Sequence, residues 1–417
     1  MNSSMIVGRD DGALKCSRLV TSIPEAHAAV PAVEAREVEF SIVMPCLDEA
    51  RTVGTCVGKV RAFLEAHGIA GEVIVADNGS TDGSQEIAAR CGARVVAVAT
   101  RGYGSALHEG IAVARGHYVI MGDSDDSYDF AALMPFVEKL REGYDLVMGN
   151  RFAGEVKRGA MPPLHRYFGN PLLTRIGRLF FKSQVRDFYC GLRGFSRGAV
   201  ERMDLRTTGM EFALEMVVKA RLLQMRVTDI PIILWPDGRG RPPHLRSWRD
   251  GWRSLRFFLL YSPRWLFLYP GLLLMLIGLA GMAWLLPSPR LIGPLPLDYH
   301  SLLYASEFVL VGYQSALFAV LSKFFAVGAG LLPEDPVFSH VTRNVSLELG
   351  LVVGGILVVA GIAGSVYAVA FWESLHFGPL QPRETLRIVI PSITALTIGF
   401  ETILASFFLS VLALARK

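Results

Sequence analysis

The sequence predicts an α/β fold, a doubly wound and mostly parallel sheet, followed by a C-terminal α-helical transmembrane bundle. Three observations carry this. Charge is divided along the chain: Met1 to Trp265 holds 35 Lys+Arg and 30 Asp+Glu, whereas the last 152 residues hold 7 and 8. The charged half alternates short β-branched runs with helical patterns. The apolar half contains four stretches of about bilayer length. The division excludes a fully soluble enzyme, a disordered chain and a small disulfide-stapled domain. It also makes the net charge of +4 a near-cancelled sum.

Residues 1–37 are expected to be a flexible lead-in, and 38–237 the α/β domain. Candidate strands there are Phe40 to Met44, Glu72 to Ala76, Arg94 to Val98, Tyr118 to Met121 and Asp145 to Met148. Helices are expected near 50–66, 83–91, 104–115 and 130–142. Strand and helix alternating at this spacing argue for a parallel sheet, whose ligands bind outside the carboxyl ends of the strands. Those ends lead into Pro45-Cys46-Leu47-Asp48-Glu49, Asp77-Asn78-Gly79-Ser80-Thr81-Asp82-Gly83, Arg101-Gly102-Tyr103-Gly104 and Asp123-Ser124-Asp125-Asp126. Residues 238–265 read as a basic loop and interfacial juxtamembrane helix. The transmembrane domain is 266–417, with spans near 266–286, 302–322, 347–371 and 388–414.

Arg246, Arg249, Arg253, Arg256 and Arg264 precede the first span, so the positive-inside rule puts the charged half in the cytoplasm. Charges at Arg9, Asp10, Asp11, Lys15 and Arg18 interrupt any N-terminal signal-like run. The five cysteines form no CxxC pair, which fits a reducing compartment and offers no zinc site. Glu307 and Glu401 are expected either near a membrane boundary, with access to water, or inside the bundle, where a functional role is open. The Asn344-Val345-Ser346 sequon reads as chance on the cytoplasmic side.

Acidic and glycine-rich turns at one sheet edge suit a nucleotide diphosphate held through Mg²⁺ or Mn²⁺. Such ions take oxygen ligands, commonly one or two carboxylates plus substrate phosphates. A lone Asp-x-Asp is usually a solvated turn; its place after a strand, beside two other acidic turns, favours Asp123 and Asp125 as metal ligands. No Walker A motif is present, and Gly102-Tyr103-Gly104 lacks the third glycine of a dinucleotide fingerprint.

These turns, with Gly149-Asn150-Arg151-Phe152, Arg186-Asp187-Phe188-Tyr189-Cys190-Gly191-Leu192-Arg193-Gly194-Phe195 and Gly209-Met210-Glu211-Phe212, resemble the ordered motifs of family 2 glycosyltransferases with the GT-A fold. The similarity is greatest to polyprenyl-phosphate glycosyltransferases such as dolichol-phosphate mannose and glucose synthases, and covers about 40–245. The resemblance implies a single sugar, glucose or mannose, moved with inversion from a UDP- or GDP-linked donor to a polyprenyl monophosphate. It further implies that Pro45, Leu47, Glu49, Asp77, Asn78, Arg101, Gly102, Asp123 and Ser124 bind the nucleotide sugar. Asp123, Asp125 and Ser127 would hold the metal, and Asp125, Asp187 and Arg193 would be catalytic. Arg151, Arg193, Arg239 and Arg241 would meet the acceptor phosphate. Two residues depart from the family pattern: Asn78 replaces an acid, and Ser127 stands where Gln or Asn is common.

Between Arg151 and Arg206 there are 12 basic and 4 acidic residues, interleaved with Tyr167, Phe168, Leu179, Phe180 and Phe181, as in an interfacial helix. The expected partners are therefore donor, lipid acceptor and membrane, with no nucleic acid; a homo-oligomer is compatible with the sequence. Two alternatives remain. A processive polysaccharide synthase usually carries Gln-x-x-Arg-Trp, whereas Arg264-Trp265 follows Tyr261-Ser262-Pro263. A lipid-sugar flippase or scaffold would need a degenerate transferase domain, against which the intact acidic turns argue.

Overall fold

A computed structural model describes residues 37–240, 247–333 and 346–414. Arg241, His244, Arg246, the sequon asparagine and all but the last residue of the expected lead-in lie outside the described residues. The chain divides into two compact units, Met1–Leu255 and Arg256–Lys417. The division falls inside the 238–265 segment, within a helix at Ser247–Leu260.

The first unit is built on a seven-stranded sheet. Its strands are β1 (Phe40–Cys46), β2 (Gly71–Asp77), β3 (Arg94–Ala97), β4 (Tyr118–Met121), β5 (Leu146–Val156), β6 (Arg193–Ser196) and β7 (Val227–Leu234), in the order β3-β2-β1-β4-β6-β5-β7. β1 runs parallel to β2 and β4, β2 to β3, and β5 to β7, while β6 is antiparallel to both its neighbours. Helices α1 (Val53–Ala66), α2 (Ser84–Arg90), α3 (Tyr103–Ala112) and α4 (Met134–Arg141) return the chain between the first five strands. A sheet covered on both faces needs strands that are apolar on both faces, which is why Ile42 to Met44 and Val73 to Ala76 read as continuous runs and are all buried.

The first four strands and four helices lie where the sequence predicts them, within a few residues. β5 is longer than its apolar start, because pairing with β7 carries the polar Asn150 to Glu155 stretch onward through a register shift. The expected amphipathic segment forms a π-helical turn at His165–Gly169 and α5 (Asn170–Phe181), with Tyr167, Phe168, Leu172 and Leu179 exposed. Two further helices, α6 (Arg197–Met203) and α7 (Phe212–Leu222), complete the domain before the helix at Ser247–Leu260, α8.

Among the described residues the second unit contains four helices long and apolar enough to cross a membrane: Arg264–Leu285, Tyr299–Gly328, Leu347–Ser374 and Pro382–Leu414. The first is a π-helical turn followed by α9 (Tyr269–Leu285); the others are α10, α11 and α12. Lipid tails are as apolar as leucine, so helices in a bilayer associate through close packing and polar contacts. Both occur. A Cβ on Gly278 would lie 2.6 Å from the Ala305 carbonyl oxygen, and one on Gly361 would lie 2.6 Å from that of Ser392, so α9 packs tightly on α10 and α11 on α12. Hydrogen bonds then join α10 to α12: Ser306 with Thr394 and Tyr313 with Thr402, both at 2.6 Å, and Gln314 donating to Glu401 at 2.5 Å. Glu401 thus meets a partner on α10, as the reading inside the bundle expects.

Candidate active site

Parallel strands point their carboxyl ends the same way, so the turns after β1, β2 and β4 meet at one edge. Hydrogen bonds lock them together. The Asp48 and Glu49 amides donate to the hydroxyls of Ser80 and Ser84, both at 2.8 Å. The Thr81 amide donates to Asp48 Oδ1 at 2.9 Å, and Ser124 Oγ donates to the Pro45 carbonyl at 2.8 Å. A cavity of about 360 Å³ opens beside Asp48, Glu49, Arg51, Asp82 and Arg239.

Asp77 is buried at the end of β2. Its Oδ2 accepts from the Gly79 and Ser80 amides, each at 3.0 Å, and from Gln85 at 2.6 Å. Its Oδ1 is buried with no hydrogen-bond partner, an acceptor that burial makes costly unless something donates to it. Asn78 differs from the expected nucleotide contact. Its Oδ1 accepts from the Gly102 amide at 2.6 Å and its amide nitrogen donates to the Thr100 carbonyl at 2.8 Å, so the side chain ties the Arg101 loop to β2. Gly102 has φ of 147°, and a Cβ there would stand 2.3 Å from the Thr208 carbonyl oxygen; only glycine fits.

The two aspartates after β4 differ in their surroundings. Asp123 Oδ1 accepts a 3.1 Å hydrogen bond from the hydroxyl of the half-buried Tyr103. Burial, and then the neighbouring Asp125 charge, push the Asp123 carboxyl up to about 6, against the pull of Tyr103, Arg239 and Arg151. Two crowded carboxylates of this kind favour a bound cation. Asp125 Oδ1 accepts from the Ser127 amide at 3.0 Å and hydroxyl at 2.6 Å, leaving Oδ2, which is paired with Arg239. The same guanidinium lies 3.3 Å from Glu49 Oε1. Through these two bonds Ser127 positions the Asp125 carboxylate. Among the described residues no group of three His, Cys, Asp or Glu is arranged around a metal position. The donor set is two carboxylates, which suits an ion that completes its shell with phosphate oxygens and water.

Two expected phosphate contacts are internal. Arg151 makes a forked ion pair with Asp187, Nε to Oδ2 at 2.7 Å and Nη2 to Oδ1 at 2.8 Å, with both residues buried. Burial alone would lower the arginine's pKa, but the Asp187 charge and its hydrogen bonds, with smaller contributions from Tyr128 and Cys190, together outweigh this and raise it. Arg193 is fully buried. Its guanidinium donates to the carbonyls of Cys190 at 2.8 Å, Phe188 at 2.9 Å and Ala213, and burial lowers its pKa. It braces β6 from within and is not presented to a phosphate. Arg101 is exposed and Leu47 partly so, while Arg241 lies outside the described residues.

Sequence reasoning did not assign roles to Tyr103, Gln85, Tyr128 or Gly191. The Tyr128 hydroxyl accepts from the Gly191 amide at 2.8 Å, and a Cβ on Gly191 would lie 2.6 Å from Asp123 Oδ2. Nothing local signals the Tyr128–Gly191 hydrogen bond, which spans 63 residues.

A mostly parallel sheet of this order, with acidic turns at its carboxyl edge, defines a GT-A-like transferase domain. Residues 41–204 match the glycosyl transferase family 2 domain, and 320–413 match the glycosyltransferase family 2 C-terminal transmembrane region. The low-salt glycan biosynthesis hexosyltransferase Agl6 of Haloferax volcanii is 37% identical over 379 residues, 89% of each chain. The chain belongs to glycosyltransferase family 2 and is an integral membrane enzyme. A dolichyl-phosphate hexose transferase of the same organism is 27% identical over 196 residues, 46% of this chain and 82% of its own. Among solved structures, glucosyl-3-phosphoglycerate synthase from Mycobacterium tuberculosis, in complex with Mn²⁺, UDP and glucosyl-3-phosphoglycerate, is 21% identical. It covers 53% of this chain and 78% of its own, with a TM-score of 0.42.

Proposed function

We propose that this glycosyltransferase moves a single hexose, glucose or mannose, from a UDP- or GDP-linked donor to a polyprenyl monophosphate at the cytoplasmic membrane face, with inversion at the anomeric carbon. The observation that carries the reading is the meeting of Asp77, Asp123 and Asp125 at one sheet edge in a chain whose described residues also include four helices long and apolar enough to cross a membrane. The spans keep the enzyme where a lipid acceptor resides. Asp77 Oδ1, buried and unpartnered, is suited to accept from a nucleobase N–H. Asp123 and Asp125 would hold Mg²⁺ or Mn²⁺, which when bound supplies positive charge to the departing diphosphate.

In the reaction, an acceptor phosphate oxygen forms a bond to the anomeric carbon as the bond from that carbon to the donor diphosphate breaks; the nucleoside diphosphate leaves with the electron pair. A phosphate monoester is largely ionised near neutral pH, its second pKa being about 6, so the nucleophile needs positioning more than deprotonation. The exposed Arg101 and the basic segment around α5 are the cationic groups suited to that. Arg151 with Asp187, and Arg193, set the shape of the site from beneath.

The test is a donor screen: purified full chain, UDP- and GDP-hexoses, a long-chain polyprenyl phosphate and Mg²⁺ or Mn²⁺. A lipid-linked monosaccharide is expected, abolished by chelator and by Asp125→Ala. A polymeric product, or full activity of that variant, sinks the reading.

A further inference from the structure

Arg239, half-buried, stands apart from the buried arginines. Arg151 and Arg193 belong to the interior and are held by a forked carboxylate or by three carbonyls. Arg239 follows β7 on a loop, next to Gly240 at φ 67°, and reaches back over 114 residues of sequence to Asp125. Its Nη2 pairs with Asp125 Oδ2, its Nη1 lies 3.3 Å from Glu49 Oε1, and its Nε lies 3.9 Å from Asp237 Oδ2. That Nε is buried with no hydrogen-bond partner. The guanidinium is therefore held mainly by charge, in a cluster of acids, without the full set of hydrogen bonds that makes an arginine a permanent strut.

The atom it occupies is decisive. Ser127 takes Asp125 Oδ1 twice, so Oδ2 is the oxygen through which Asp125 can meet a cation, and Arg239 is already on it. A divalent ion and a guanidinium on one oxygen repel each other strongly in a poorly solvated site. We propose that Arg239 is the resident counter-cation of the metal site: it holds Asp125 Oδ2 until a metal-bound diphosphate arrives, so that cation and donor load together and the bare cation is disfavoured. This rests on the metal-dependent reading above. A nucleotide diphosphate brings the negative charge that a bare ion lacks. Its phosphates offer Arg239 a new partner as the carboxylate passes to the metal, so no charge is left buried and unpaired.

The experiment measures Mn²⁺ affinity by the paramagnetic resonance of free Mn²⁺, using full-length protein in detergent, without and with UDP or GDP. Arg239→Met keeps the unbranched stem and removes the charge; Arg239→Lys keeps the charge. Without nucleotide, Arg239→Met is expected to bind Mn²⁺ roughly tenfold more tightly than the parent, with Arg239→Lys close to the parent. Adding the nucleotide should raise the parent's Mn²⁺ affinity more than the variant's and narrow the gap. Equal or weaker Mn²⁺ binding by a folded Arg239→Met protein overturns the proposal while leaving the metal site standing. Asp125→Asn separates the two readings: if it binds Mn²⁺ as well as the parent, the metal assignment itself falls, and this proposal with it.

Discussion

The forked pair of Arg151 and Asp187 can be tested as a structural element, because that role and direct contact with substrate predict opposite results. Asp187 is fully buried and accepts from Arg151 Nε and Nη2, from the Arg151 amide at 3.2 Å and from the Tyr189 amide at 3.2 Å. Asp187→Leu leaves the guanidinium buried without its counter-ion, and removing one partner of a buried pair costs about 3–5 kcal/mol. For a domain of this size each kcal/mol is worth about 2–4 °C, so the unfolding midpoint should fall by roughly 6–20 °C. The protein carries its own reporters: Cys46, Cys56 and Cys190 are free and buried, so a thiol-reactive fluorogenic dye follows opening of this domain alone. The double variant Arg151→Met with Asp187→Leu removes both charges and should unfold at a higher temperature than Asp187→Leu, a non-additivity expected of contacting residues. If Asp187→Leu unfolds with the parent while losing turnover, and the double variant shows no coupling, Asp187 acts on substrate and the structural assignment is wrong.

Three further outcomes are expected. Tyr103→Phe removes the hydroxyl that donates to Asp123 and should weaken apparent Mn²⁺ affinity by up to roughly tenfold, with an unchanged unfolding midpoint. Glu215 pairs with Lys219 at 2.8 Å and accepts from the Arg206 and Thr207 amides. Burial alone would raise its carboxyl, but the Lys219 and Thr207 bonds hold it below its ordinary 4.5. That stabilisation is present above pH 4.5 and lost as pH falls through the lower folded-state value, so the parent's midpoint should drop there more steeply than that of Glu215→Gln. In the membrane unit, Gly361→Val must separate α11 from α12 and should lower its thermal stability in detergent, whereas Gly355→Val, with nothing within 4 Å of its Cβ position, should not.

The sites that were legible are those whose signal is local. A run of β-branched residues closed by an acidic turn identified β1, β2 and β4 together with Asp77, Asp123 and Asp125, because strand, turn and carboxylate are adjacent in the chain. β6 was not legible: it is four residues long, contains a glycine, and buries an arginine whose charge reads as exposed. Arg193 was misassigned for the same reason, since only the surrounding carbonyls make a buried guanidinium tolerable.

Sequence alone determined the division into a charged half and four spans, since the apolar length that crosses a bilayer is a property of consecutive residues. It likewise determined the family, through motifs in a set order. Tertiary structure decided which charges are available to substrate. Arg151 meets Asp187 across 36 residues and Arg239 meets Asp125 across 114, while Asn78 is taken by the Arg101 loop. Whether an arginine binds a phosphate or a carboxylate depends on which opposite charge folding brings within about 3 Å of it, and that distance is set by sheet order and loop closure, which spacing along the chain does not encode.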